Sequence, residues 1–262
     1  MNGERRPLWL AVAGKGGAGK SVVSGTLARV LARRGHKVLA VDSDPMPGMS
    51  LVLGAQEPDR PPLMDAVEKP EGKPWRLKPG IGPARAVSRF STAAPDGVRL
   101  LQLGKADKDG LIPVNPAVNG FLRVVHRLHE PASMRAWTIV GDLPAGPRHP
   151  AAGFSPYANL YLVVLEARSQ SALTARRVAR IAREHRHADV LFVANKIASD
   201  EDRERAERLL GEPIHHVVPA DPAVAAAERD GIPVLDASPD APAVHAIERL
   251  ADALEGRTVG AR

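Results

Sequence analysis

Short apolar blocks alternate along the chain with stretches whose apolar residues fall three or four apart. Residues 8–13 are an uninterrupted apolar run, and residues 22–34 place Val23, Leu27, Val30 and Leu31 on one helical face. After a turn at Gly35, residues 37–42 repeat the apolar block, and 98–103, 137–140, 160–165, 190–194 and 214–218 read as further strands. Residues 115–129, with Val118, Leu122, Val125 and Leu128 near one face, read as a helix, as do 169–185, 201–210, 222–229 and 241–255. Blocks that are apolar throughout describe strands buried on both faces. Their alternation with helices predicts an α/β fold, a three-layer, mostly parallel sheet with helices on both faces.

Residues 56–96 break this rhythm. They are rich in proline and glycine and hold no long periodic segment. Lys69, Lys73, Arg76, Lys78, Arg85 and Arg89 crowd there, with Glu71 the only acid among them. We read this stretch as a basic excursion from one domain spanning 1–262, either a functional loop or a solvated spacer.

The composition narrows the picture. A length of 262 residues is enough for one α/β domain with a full core. Aromatic residues make up only 3%, so the core falls to Ala, Val, Leu and Ile. The net charge of +6 permits an acidic partner, but arginine is spread over most of the chain and charge alone selects none. With no cysteine, disulfides, thiolate metal sites and a cysteine nucleophile are excluded. Residues 1–7 are polar and carry no secretory pattern, and no apolar run has membrane-spanning length, so a cytoplasmic location is expected. Residues 256–262 are expected to fray.

Chemistry enters at Gly14-Lys15-Gly16-Gly17-Ala18-Gly19-Lys20-Ser21, between the first strand and the first helix. Glycines let backbone amides approach phosphate oxygens closely, and the helix N-terminus then faces the anion. In such a loop Lys20 reaches the β- and γ-phosphates and the Ser21 hydroxyl can ligate Mg²⁺. Polar residues recur just past other strands: Asp42 and Asp44, Asp142, Asn195, and Asp221 after the last. Ligands of open α/β sheets bind at these carboxyl ends. Each has a plainer reading: Asp42-Ser43-Asp44-Pro45 and Asp142-Leu143-Pro144-Ala145-Gly146 are good turns, Asn195 suits a loop, and Asp221 suits a helix N-cap. His126, His129, His185, His187, His215 and His216 form no ligand pattern and read as solvated or capping residues.

Lys15, directly after the first glycine, gives Lys-Gly-Gly-x-Gly-Lys-Ser. This resembles the deviant phosphate loop of the ParA, MinD, nitrogenase iron protein and CooC group of ATPases. The resemblance implies ATP or ADP with Mg²⁺, cradled by Gly14, Gly16, Gly17, Ala18, Gly19, Lys20, Ser21 and Val22. It implies a homodimer formed on ATP binding, with Lys15 reaching the nucleotide of the other subunit. Asp44 would polarise the attacking water, with Asp42 a helper near the metal, and Ser21, Asp42 and Asp142 would surround Mg²⁺. Gly146 would let its segment move when the γ-phosphate leaves. Asn195 with Lys196 would meet adenine on one side, and Pro219, Ala220 and Asp221 would cover the other.

Within the group, residues 162–175 and the region from Gly104 through Asn115-Pro116 to Leu122 and Arg123 resemble the CooC-type ATPases, which assist nickel insertion into carbon monoxide dehydrogenase. Those proteins carry a metal-binding Cys-x-Cys where this chain has Leu111-Ile112-Pro113-Val114. The resemblance therefore carries over the ATPase and the gated dimer, but not the metal site. The reading it favours is a switch acting on an unidentified client protein. The alternative is a ParA- or MinD-type partition or positioning ATPase that binds DNA or a membrane-associated partner. DNA would need a basic face, for instance Arg76, Lys78, Arg85 and Arg89, and a steep salt dependence. A membrane-lying last helix should be basic opposite its apolar stripe (Val244, Ile247, Leu250, Leu254), and Glu248, Asp252 and Glu255 stand there instead. A third, non-enzymatic reading is a nucleotide-bound structural partner with little turnover.

Overall fold

The computed structural model describes residues 8–45, 48–104 and 114–257. Strand β1 (Trp9–Gly14), helix α1 (Lys20–Arg33) and strand β2 (Val38–Asp42) open the chain, followed by the short helix α2 (Met49–Leu53). A 3-10 turn over Pro62–Ala66 leads to an antiparallel pair, β3 (Val67–Glu68) and β4 (Arg76–Leu77), then to α3 (Pro83–Phe90), β5 (Thr92–Ala93) and β6 (Arg99–Gln102). Next come α4 (Val114–Val125), β7 (Thr138–Asp142), α5 (Arg148–Ala151), β8 (Leu160–Leu165) and α6 (Ser169–Arg186). The chain continues through β9 (Asp189–Ile197), α7 (Asp200–Leu210), β10 (His216–Pro219), α8 (Pro222–Asp230), α9 (Val234–Ala237) and α10 (Pro242–Glu255).

The main sheet has the order β10-β9-β8-β1-β7-β2-β6-β5. Every neighbouring pair is parallel except β5–β6, joined by the tight turn Pro95–Gly97. Successive side chains of a strand point to opposite faces. Ala11, Ala13, Leu39 and Val163 therefore join a core with Phe121 of α4, Val178 of α6 and Leu210 of α7. Leu10, Val12, Ala40 and Val164 join a second core with Leu27 of α1 and Val244 and Ile247 of α10. The three-layer, mostly parallel α/β architecture is the one predicted.

Several boundaries differ. Helix α1 begins at Lys20, because the left-handed Gly19 (φ +86°) turns the loop straight into it. Strand β9 runs on to Ile197, so Asn195 and Lys196 lie inside the strand, not beyond it. The excursion at 56–96 contains α3, which shows no long period because only Pro83, Ala86 and Val87 are buried. Pro83 stands at the start of that helix, where its fixed φ suits the first turn and no amide is needed. Of the six cations named above, Arg76 pairs with Glu68 across β3–β4 at 2.7 Å, Arg85 donates to the Gly80 carbonyl at 3.3 Å, and Arg89 lies over the Phe90 ring at 5.3 Å. Leu63 joins the core with Phe121, and Leu77 and Ile81 pack against it. The Leu111–Pro113 stretch and residues 258–262 lie outside the described residues. Among the described residues no helix is long and apolar enough to cross a membrane.

Helix α1 is tied across the molecule by Arg29, which is only 2% exposed. Its Nε donates to Asp96 at 2.7 Å and its Nη2 to Asp236 of α9 at 2.8 Å. These links hold the helix that carries the phosphate loop to the β5–β6 turn and to α9.

Candidate nucleotide site

The loop is built by close backbone approach. A Cβ on Gly14 would stand 2.2 Å from the Val164 carbonyl oxygen, and one on Gly19 would stand 2.2 Å from Asn195 Nδ2. Only glycine lets β1 run against β8 here and lets the loop close over Asn195. Lys15 is exposed at the loop's start. Lys20 is nearly buried, and its Nζ donates to the Lys15 carbonyl at 3.4 Å.

The carboxylates gather beside the start of α1. Asp42 and Asp142 are in-register neighbours on β2 and β7, and both are buried. The Ser21 hydroxyl donates to Asp142 Oδ2 at 2.6 Å. Asp42 accepts the Asp44 amide at 3.0 Å on Oδ1 and the Met49 amide at 3.1 Å on Oδ2. Burial, with the facing Asp142 charge, pushes Asp42 up to about 7. Burial likewise pushes Asp142 up to about 6, against the pull of the Ser21 hydroxyl and Lys20. Asp142 Oδ1 is buried with no hydrogen-bond partner among the described residues. Two facing carboxylates, an orphaned oxygen and a hydroxyl form a hard-oxygen donor set. That suits Mg²⁺, which is ordinarily held by one or two carboxylates with waters and phosphates completing the shell. The predicted trio Ser21, Asp42 and Asp142 is thus brought together.

The segments that follow these strands rest on the loop. The Gly146 amide donates to Gly14 O at 2.9 Å and the Leu143 amide to Val12 O at 3.0 Å. Ser43 straps β2 to β7, its hydroxyl donating to Asp142 O at 2.7 Å. Asp44 is half-buried, close enough to His149 of α5 that its charge acts on the ring. Burial lowers His149 below its ordinary value, Asp44 opposes this, and Arg148 adds to it. His149 lies edge-on to Phe154, with ring centroids 5.0 Å apart.

A cavity of about 820 Å³ opens from the loop. Gly17, Gly19, Lys20 and Ser21 line one end, and Pro219, Val224 and Ile232 line a largely apolar one. Asn195, Lys196, Ala220 and Asp221 also border it. Their polar groups are engaged within the chain. Asn195 Nδ2 donates to Ala18 O at 2.8 Å, and Lys196 Nζ donates to Gly17 O at 2.7 Å and lies 3.3 Å from Glu166 Oε1. Asp221 caps two helices, accepting the Ala223 amide of α8 and the Ala243 amide of α10, both at 2.9 Å. The N-cap reading of Asp221 therefore holds, and Asn195 and Lys196, expected to meet adenine, donate to the carbonyls of the phosphate loop.

Sequence reasoning missed Glu166, His149, Leu51, Val52 and Ile232, whose places depend on how distant segments meet. It also missed Gln102, which ends β6 at the same carboxyl edge as Asp42; the strand-end rule that picked out Asp42 would have found it.

The chain matches the CobQ/CobB/MinD/ParA nucleotide binding domain over residues 9–234. The carbon monoxide dehydrogenase accessory protein CooC of Rhodospirillum rubrum is 28% identical over 250 residues, covering 88% of this chain and 90% of CooC. The cell division ATPase MinD of Pyrococcus furiosus superposes with a TM-score of 0.71 at 26% identity, covering 96% of this chain and 99% of its own. The septum site-determining protein MinD of Pyrococcus horikoshii, solved with Mg-ADP, superposes with a TM-score of 0.66 at 21% identity, covering 94% of this chain and 95% of its own.

Proposed function

Because the chain belongs to the CobQ/CobB/MinD/ParA nucleotide-binding domain family of ATPases, we propose that it binds ATP with Mg²⁺ and hydrolyses it to drive a homodimer that acts on a client protein. One observation carries the reading: the Ser21–Asp142 hydrogen bond beside Asp42, at the mouth of the phosphate loop. Mg²⁺ held by Ser21 and Asp142, with Asp42 beside them, would neutralise charge on the β- and γ-phosphates. Lys20 is nearly buried behind the loop, where it pairs with phosphate oxygens instead of solvent. Half-buried Asp44, on the segment leaving β2, orients the attacking water. The base lies in the cavity between Lys196 and Pro219, against apolar walls. Exposed Lys15 is available to the nucleotide of a second copy.

The relatives support each half of the proposal. A MinD was solved with Mg-ADP, and CooC is an accessory protein of another enzyme, as a client-directed switch would be. Against the membrane-binding alternative, the apolar stripe of α10 (Val244, Ile247, Leu250, Leu254) is buried against the second core.

Light scattering after chromatography tests the proposal. The protein should be a monomer with ADP and a dimer with a non-hydrolysable ATP analogue and Mg²⁺. Lys15→Ala should stay monomeric and lose roughly a thousandfold or more in hydrolysis, the scale of a charge-stabilising cation supplied in trans, while still binding ADP. An unchanged mass in both nucleotide states would overturn the dimeric switch.

A further inference from the structure

Helix α6 is strongly basic. Its 18 residues hold Arg176, Arg177, Arg180, Arg183 and Arg186 against a single acid, Glu184. Two of these arginines are used within the chain. Arg183 pairs with Glu212 at 2.7 Å, and Arg186 donates to Pro150 O at 2.9 Å. Both stand in the last turn, where a cation also complements the helix dipole. Arg176, Arg177 and Arg180 lie further back, are exposed, and have no ion pair or hydrogen bond among the described residues. Arg176 and Arg180 are one turn apart, a like-charge spacing that weakens a helix. The adjacent helix α7 has the opposite habit, since Arg203 pairs with Glu207 and Arg208 with Glu204, each one turn away. Helix formation and packing therefore do not account for the three arginines in mid-helix.

The same side of the helix has apolar positions that the fold does not use. Leu173, Arg177 and Ile181 form a row at i, i+4 and i+8, beside the row of Arg176 and Arg180. Leu173 and Ile181 are half-buried, and neither is part of a core nor packed against one. Ala172, Ala175, Val178, Ala179 and Ala182 make the inward face instead. Partly exposed apolar side chains beside unpaired cations are matched by an amphipathic helix with acids along the edge of its apolar stripe. Nucleic acid matches them less well. Phosphates have no use for the apolar row, and α7, packed alongside, exposes Asp200 and Glu201 to any polyanion broader than one helix.

We propose that the outer face of α6 docks an acidic amphipathic helix of a partner protein, with carboxylates on Arg176, Arg177 and Arg180 and apolar side chains on Leu173 and Ile181. Helix α6 covers the face of the sheet opposite α1, so the inference does not rest on the nucleotide reading above.

Fluorescence anisotropy tests this with a labelled synthetic helical peptide that bears a leucine stripe edged by glutamates. The peptide should bind the full chain, and binding should weaken as salt is raised. The triple substitution Arg176→Gln, Arg177→Gln and Arg180→Gln should weaken binding roughly tenfold, the combined effect of three exposed ion pairs. Substituting glutamine for Arg135, Arg229 and Arg249, which are exposed on other elements, removes the same charge and should leave binding unchanged. Equal losses in the two variants would reduce the effect to net charge and overturn the proposal, as would no binding by the parent. A short DNA duplex that binds the parent more tightly than the peptide, and that only the α6 variant loses, would make this a phosphate surface and also overturn it. If the α6 variant does not fold, the parent protein answers the question. Its backbone amide resonances over residues 173–184 should move when the peptide is added, and shifts confined to other elements overturn the proposal.

Discussion

Lys196 adopts a left-handed backbone (φ +60°), which a residue with a side chain takes only when its surroundings enforce it. What enforces it is the bond from its ammonium to Gly17 O and the nearby Glu166 carboxylate. The lysine holds the phosphate loop from outside. Lys196→Ala should weaken ADP binding by roughly tenfold through a loosened loop, as measured by calorimetric titration, and unchanged affinity would refute the brace. The residues of the loop itself were legible because the chemistry of phosphate binding restricts their types to glycine, lysine and serine at set spacing. The brace was not. Glu166 ends up beside Lys196 only because β8 and β9 pair, and nothing in the local sequence around either residue announces it.

Among the elements, the strands were the easiest to see, since burial on both faces leaves an apolar block whatever lies beyond. The short helices α2, α5 and α9 were invisible because four or five residues cannot display a period. Helix α9 nonetheless has a defined task, since its Asp236 meets the buried Arg29 of α1 together with Asp96. Arg29 is held in its charged form by these partners, whose hydrogen bonds and charges outweigh the burial that opposes it. Asp236→Asn would leave Asp96 as the remaining carboxylate on Arg29. The expected destabilisation is about 1.5–3 kcal/mol, the range for a hydrogen bond to a charged group, and denaturant unfolding would measure it. A change within experimental scatter would mean that Asp96 alone suffices. Because α1 begins at Lys20, the same substitution should also lower nucleotide affinity.

At the scale of the whole molecule, the facing pair Asp42 and Asp142 links the site to global stability. Both carboxyls titrate higher in the folded protein than their ordinary value near 4. Between that value and about 7 the folded state holds more protons than the unfolded one, so stability falls as pH rises through the window. Nucleotide-free protein in a chelator should therefore melt at a lower temperature at about pH 8 than at about pH 5. The difference should be on the order of 2 kcal/mol. Asp42→Asn should flatten that slope, and a slope left intact by the substitution would place its origin elsewhere.

The rims of the sheet have a consequence of their own. On one side the last strand, β5, is two residues long and runs against the rest. On the other side β10 is four residues long and ends in Pro219, and its His216 ring bonds to Ala246 O in the covering helix α10. Short or covered rims give an incoming strand little to pair with. Copies of this protein cannot readily join rim to rim into one growing ribbon.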